Sequence, residues 1–179
     1  MSKIKKITIF GGPGTGKTRL ADILSDMFEI PAYHLDAFQF ESDWTPRSKD
    51  VRDAKILETV EKDSWIIEGV YTSTLEARIK AADLIIFLDF KTIDLVKGVV
   101  QRFLKAKMSG EKEKSEIPGC KENIDLEFIK YIFSFNKNKR EKIYQIMNNN
   151  PDKKVVILNN RDSVDKYVSL LKMEEIESL

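Results

Sequence analysis

The sequence predicts an α/β fold: a five-stranded parallel sheet with helices on both faces and a lid-like insertion. Three observations predict it. Five short apolar runs alternate with stretches of helical spacing. A glycine-rich stretch, Gly11-Gly12-Pro13-Gly14-Thr15-Gly16-Lys17-Thr18, lies between the first run and the first helical stretch. One segment over 105–123 interrupts the alternation with charge, glycine and proline. Strands separated by helices run parallel and bury both faces. Ligands of such sheets bind beyond the carboxyl ends of the strands.

Each element has its own signal. Ile4 to Phe10 is β-branched and apolar, as a buried strand is. After Thr18, the residues Leu20, Ala21, Ile23, Leu24, Met27 and Phe28 recur at helical spacing. Tyr33-His34-Leu35, ending at Asp36, predicts the second strand. Ser48 to about Lys62 predicts a helix with Val51, Ile56, Leu57 and Val60 on its apolar side. Trp65-Ile66-Ile67 predicts the third strand, closed by Glu68-Gly69, and Leu75 to Ala82 a short helix. Leu84 to Leu88 predicts the fourth strand, the most apolar, closed by Asp89. Val96, Val99, Val100, Phe103 and Leu104 mark an amphipathic helix over 93–108. Asp125 is placed to cap a helix reaching about Met147, with Phe128, Ile129, Ile132 and Phe133 inward. Lys154 to Leu158 predicts the fifth strand, and Val164 to Leu171 begins the last helix.

The glycine stretch fits G-x-x-x-x-G-K-[ST], the P-loop or Walker A pattern. In that pattern backbone N–H groups turn inward around a phosphate, and a Cβ would obstruct the close approach. Lys17 is placed to reach the β- and γ-phosphates of a nucleotide, and Thr18 to offer its hydroxyl to Mg²⁺. The dipole of the following helix adds positive potential at the same point. Gly11 through Thr18 are therefore the nucleotide-binding residues, with ATP and Mg²⁺ as the expected cofactors.

Bulk properties set limits. A chain of 179 residues suits one domain with a sizeable core. The net charge is +1, so composition offers no argument for nucleic acid or an acidic membrane as partner. The single cysteine, Cys120, excludes an intramolecular disulfide and suits a cytoplasmic protein. No apolar run approaches membrane-spanning length, and the basic N-terminus leads into a strand with no signal-like apolar region.

Three classes of P-loop protein compete. A GTPase needs N-K-x-D to read guanine, and Asn136-Lys137-Asn138-Lys139 lacks the aspartate. An oligomeric ATPase motor carries more chain than this. A small-molecule kinase fits the length, the early P-loop and the insertion, whose lead-in residues Arg102, Lys105 and Lys107 are positive.

The chain resembles the adenylate-kinase-like P-loop kinases, and most closely the DNA topology modulation (FlaR-related) group. Beyond residues 11–18, the resemblance rests on Ile30-Pro31, His34-Leu35-Asp36 and Asp63 through Tyr71. It continues through Leu75 to Arg78, Ala82-Asp83, Ile85 to Phe90 and Gly119 to Glu122, then Asp125 to Phe128, Phe135 and Arg140. Two features depart from the group. The third strand ends Glu68-Gly69 where Asp-Gly is usual, and the insertion carries lysines where relatives often carry arginines. The resemblance implies a phosphotransferase with an acceptor-binding region over 37–62 and a lid over 105–123. It does not name the acceptor, which is a small molecule or a nucleoside monophosphate. The other reading it leaves open is an ATP-binding regulator of DNA topology or transcription without kinase activity.

Roles follow. Lys17, Arg102 and Arg140 are candidates for neutralising transferred charge, and Asp36 for orienting or deprotonating the acceptor. Trp44, Arg52, Gly69, Tyr71 and Arg78 are acceptor-site candidates, with Asp36 among them. Glu68 and Asp89 both qualify as the metal carboxylate beside Thr18, and the resemblance favours Glu68. Asn160 and Arg161 follow the fifth strand, where related kinases contact adenine. His34, the sole histidine, reads more readily as a packed residue than as a catalytic one.

Overall fold

The structure is a computed structural model and describes residues 4–39, 45–109 and 126–177. Five parallel strands form one sheet: β1 (Lys6–Gly11), β2 (Ala32–His34), β3 (Trp65–Glu68), β4 (Leu84–Leu88) and β5 (Lys154–Leu158). Their order is β2-β3-β1-β4-β5. The first strand is therefore central, paired with β3 on one side and β4 on the other. The chain leaves β1 toward one edge and later returns to build the other. That reversal opens a crevice at the carboxyl end of β1, where the glycine stretch lies.

Seven α-helices complete the described chain: α1 (Lys17–Phe28), α2 (Lys49–Val60), α3 (Thr72–Ala81), α4 (Thr92–Ser109), α5 (Leu126–Asn138), α6 (Arg140–Asn148) and α7 (Arg161–Glu177). A 3-10 turn, Leu35–Gln39, follows β2. Every residue of β3 and β4 is buried, as a sheet covered on both faces requires. Ser48 caps α2, its hydroxyl accepting from the Val51 N–H. Lys6 reaches the Val60 carbonyl, and the buried Trp65 indole donates to the same oxygen.

The sequence reading differs from the structure in a few places. The expected long helix after Asp125 is two helices that meet at Lys139, and Asp125 itself lies outside the described residues. Ile132 is buried there, but Ile129 and Phe133 are exposed. On α4 burial ends after Val99, and Val100, Phe103 and Leu104 are exposed. The reason is position. The first half of α4 packs against the loop at the sheet's carboxyl end, through Leu95, Gly98 and Val99. Residues 110–125, most of the expected lid, lie outside the described residues.

Gly98 makes that packing possible. A Cβ on Gly98 would overlap the Gly14 carbonyl oxygen. A Cβ on Gly14, whose φ is +74°, would sit 2.7 Å from both the Leu95 carbonyl and the Val99 amide. Helix backbone and loop backbone therefore touch with no side chain between them. In an ordinary helix interior, Gly→Ala stabilises by about 1 kcal/mol. Gly98→Ala is expected to do the reverse, costing about 1–3 kcal/mol through overpacking. Urea unfolding checks this; a raised midpoint would contradict the contact.

Candidate active site

The glycine stretch forms the turn between β1 and α1. Gly14 and Gly16 take φ of +74° and +86°, and Lys17 opens α1 directly after them. Gly16 occupies the N-cap position with no side-chain cap, so the first amides of α1 are not taken up by a capping side chain. The Thr15 hydroxyl donates to the Gly12 carbonyl at 2.9 Å and steadies the turn. Lys17 Nζ also folds back on Gly12 O, at 3.3 Å. Arg161, at the start of α7, donates to the Gly14 carbonyl at 3.1 Å. Asn160 is engaged in capping α7: its side-chain oxygen accepts from the Ser163 amide at 2.8 Å.

Beside the loop stands a buried carboxylate. Glu68 ends β3 and is 2% exposed. The Thr18 hydroxyl donates to its Oε1 at 3.4 Å. Two hard oxygens so placed fit Mg²⁺, which takes one or two protein oxygens and completes its shell with phosphate and water. Among the described residues no group of three or more His, Cys, Asp or Glu forms a metal cluster. His34 lies on the other side of Glu68, its Nδ1 3.2 Å from the same oxygen, and its Nε2 is 3.3 Å from Asp22 Oδ1.

Asp89, the other carboxylate considered for the metal, is committed elsewhere. Arg140 binds it bidentately at 2.7 and 2.8 Å, and the Tyr144 hydroxyl donates to it at 2.7 Å. Burial pushes the Asp89 carboxyl up, but hydrogen bonds from Arg140 and Tyr144 and the guanidinium charge hold it below the usual range. Its hydrogen bond to Asp89 holds the Arg140 guanidinium well above its ordinary value, against the pull of burial. Arg140 thus ties α6 to the end of β4.

Past β2 and β3 a second polar cluster forms. Asp36 is exposed on the 3-10 turn and accepts from the Tyr71 hydroxyl at 3.1 Å. Burial, then the Asp36 charge, pushes the Tyr71 hydroxyl far above its ordinary value, so it is a donor at physiological pH. The Arg52 guanidinium lies 4.3 Å over the Tyr71 ring and hydrogen-bonds Gln39 and Asp53. Asp36, Arg52 and Tyr71 thus come together, while Trp44 lies outside the described residues. Arg78, expected at an acceptor phosphate, is wholly buried. It donates to the carbonyls of Gly69 and Tyr71, both at 3.0 Å. Burial pushes its guanidinium down to about 10, against the opposing pull of Glu68. Arg78 therefore shapes the loop after β3 from beneath. Gly69 has φ +133°, which lets that loop turn over Leu35. Arg102 is exposed on α4, one turn beyond Gly98.

Comparison with solved structures assigns the architecture. Shikimate kinase from Bacteroides thetaiotaomicron matches with a TM-score of 0.57 at 17% identity, over 98% of this chain and 99% of that one. Shikimate kinase from Acinetobacter baumannii, solved with shikimate, matches with a TM-score of 0.57 at 10% identity, over 98% and 94%. The fold is that of the P-loop kinases. No protein-family model and no curated protein sequence matches the chain. The P-loop kinase fold accords with the expected five-stranded parallel sheet covered by helices. The likeness is one of fold. Among the described residues, no helix is long and apolar enough to cross a membrane.

Sequence reasoning missed three participants. Asp22 sits one helical turn after Thr18, a spacing that places both on one face of α1, but it carries no motif. Gly98 lies within the helix expected over 93–108 and carries no motif. Tyr144 gave no signal before Asp89 was located. A depressed carboxyl contributes stability above its unfolded value, and that contribution is lost as pH falls through the folded value. Asp89→Asn is therefore expected to destabilise by on the order of 2 kcal/mol at pH 7, moderated because Arg140 is half-exposed and screened by solvent. The gap to wild type should narrow below about pH 4. Urea midpoints across pH check this; a gap constant down to pH 2 would contradict it.

Proposed function

We propose that this chain is an ATP- and Mg²⁺-dependent kinase that phosphorylates a small-molecule acceptor. One observation carries the reading. A continuous line of polar groups runs from the Walker A loop through Thr18 and Glu68 to His34, and Asp36 stands two residues further on against Tyr71. The loop, read as the donor site, and the Asp36–Tyr71 pair, read as the acceptor site, both lie at the carboxyl end of the sheet. The fold neighbours are kinases of a small molecule by name.

The residues divide the work as phosphoryl transfer requires, which is mostly positioning and charge neutralisation. Loop amides from Gly11 to Thr18 and the Lys17 ammonium hold the triphosphate, with Pro13 and Thr15 fixing the loop. Thr18 and Glu68 would hold Mg²⁺, which would supply charge neutralisation for the phosphoryl group being transferred. Asp36 accepts the acceptor's proton, and the Tyr71 hydroxyl holds the Asp36 carboxylate in place. Arg52, Gly69 and the Gly69–Tyr71 loop bound the acceptor side, with Arg78 as the support of that loop. Arg161 and Asn160 border the nucleotide side, and Arg102 contributes positive charge from α4. Arg140 acts through Asp89 on the packing of α6. The acceptor is a hydroxylated metabolite or a nucleoside monophosphate. The protein is expected to act in the cytoplasm and to belong with the FlaR-related group it resembles.

ADP release with a panel of hydroxylated metabolites and nucleoside monophosphates tests the reading. At least one acceptor should stimulate release, and Lys17→Ala should lower it about 100-fold or more. Asp36→Asn should lower kcat by about 10²–10⁴ with ATP affinity unchanged. A panel without turnover, combined with ATP-sensitive binding to duplex DNA, would favour the regulatory reading instead.

A further inference from the structure

The nucleotide loop and Asp36 leave one polar assembly beside them without a role. His34 lies at the end of β2 with both ring nitrogens turned on carboxylates. Its Nδ1 is 3.2 Å from Glu68 Oε1, and its Nε2 is 3.3 Å from Asp22 Oδ1. An ionised carboxylate can only accept, so a ring nitrogen bonds to it where that nitrogen carries the proton. The three residues come from three elements: Asp22 from α1, His34 from β2 and Glu68 from β3. Asp22 is exposed, the His34 side chain is 28% exposed and the Glu68 side chain is 2% exposed. The ring therefore spans from solvent to a buried acid.

The oxygen it touches decides the consequence. Glu68 Oε1 is also the oxygen that faces the Thr18 hydroxyl, 3.4 Å away. A glutamate ending a strand has three side-chain torsions, and the last is broad and weakly directed. Burial by itself does not select which carboxylate oxygen faces Thr18. A ring set between Asp22 at one nitrogen and Glu68 at the other makes that selection. It holds Oε1 on the side where Thr18 stands. The side chain is one methylene longer than aspartate, so it needs such a restraint to present its oxygen reproducibly.

We propose that His34, braced by Asp22, is the positioning residue that sets the Glu68 carboxylate for the divalent cation and thereby sets cation affinity. This rests on the reading of Thr18 and Glu68 as the cation's protein oxygens. His34 touches neither nucleotide nor acceptor in this role. Its effect passes through Glu68. Partners of this kind, one layer out from a metal ligand, typically change metal affinity by 10–100-fold when removed.

The test measures Mn²⁺ affinity directly, by the electron-spin resonance of free Mn²⁺, with the full chain and a non-hydrolysable ATP analogue. His34→Leu should weaken Mn²⁺ by about tenfold or more. His34→Asn, which keeps a donor near the place of Nδ1, should recover most of that loss, to within about threefold of wild type on the same scale. Analogue affinity measured in EDTA should match wild type for both, a readout that a loss of folding would move. Asp22→Asn should fall between His34→Asn and His34→Leu. Glu68→Gln separates the two layers of the inference. If Glu68→Gln weakens Mn²⁺ and His34→Leu does not, the positioning role is wrong and the cation site stands. If neither variant changes Mn²⁺ affinity, the cation site itself is wrong and the positioning role falls with it.

Discussion

A buried carboxylate is the constraint around which this site is organised. Glu68 ends β3, an interior strand whose every residue is buried, in a sheet covered on both faces. An ionised acid there is costly unless neighbours meet it. Thr18 meets it from α1, His34 from β2, and the charge of Arg78 from α3. Arg78 in turn is buried whole, and its Nε has no hydrogen-bond partner among the described residues. The fold tolerates that orphan because the other two arms of the guanidinium hold the Gly69 and Tyr71 carbonyls. One acid thus fixes the start of α1, the end of β2 and the loop after β3 relative to one another.

Backbone packing fixes the same loop from the other side. The first half of α4 lies on Gly14 with only glycine between the two main chains. Arg161 reaches the Gly14 carbonyl from α7. The glycine loop is therefore held by the sheet below, α4 on one flank and α7 on another. A loop whose amides are to receive phosphate gains from being rigid before the ligand arrives, because less ordering is left to do on binding. The Asp89–Arg140–Tyr144 cluster serves the same end further out, by pinning α6 to the strand next to β1.

Much of this was legible from sequence, and for physical reasons. Strand and helix periodicity follow from burial, so β4 at Leu84–Leu88 and β5 at Lys154–Leu158 were read without error in their bounds. The glycine loop was legible because positive φ at Gly14 and Gly16 leaves a spacing that few other structures need. What the sequence hid was pairing across distance. Arg78 and Arg140 are both arginines near strand ends, and nothing local tells a buried carbonyl clamp from a phosphate ligand. His34 looked like a packed residue because its partners, Asp22 and Glu68, lie on other elements. Gly98 is a single residue in an amphipathic helix, and only its neighbour Gly14 explains it. The break between α5 and α6 was hidden because both helices keep the same apolar period across Lys139.

The central claim is that the glycine loop and Glu68 form one phosphate and cation site. Crystals grown with Mn²⁺ and a non-hydrolysable ATP analogue, read by anomalous scattering, test it most directly. The account predicts a single strong peak between the Thr18 hydroxyl and Glu68, with the β- and γ-phosphates on the amides of Gly14 to Thr18. A peak at Asp89, or phosphates bound away from the glycine loop, would contradict it.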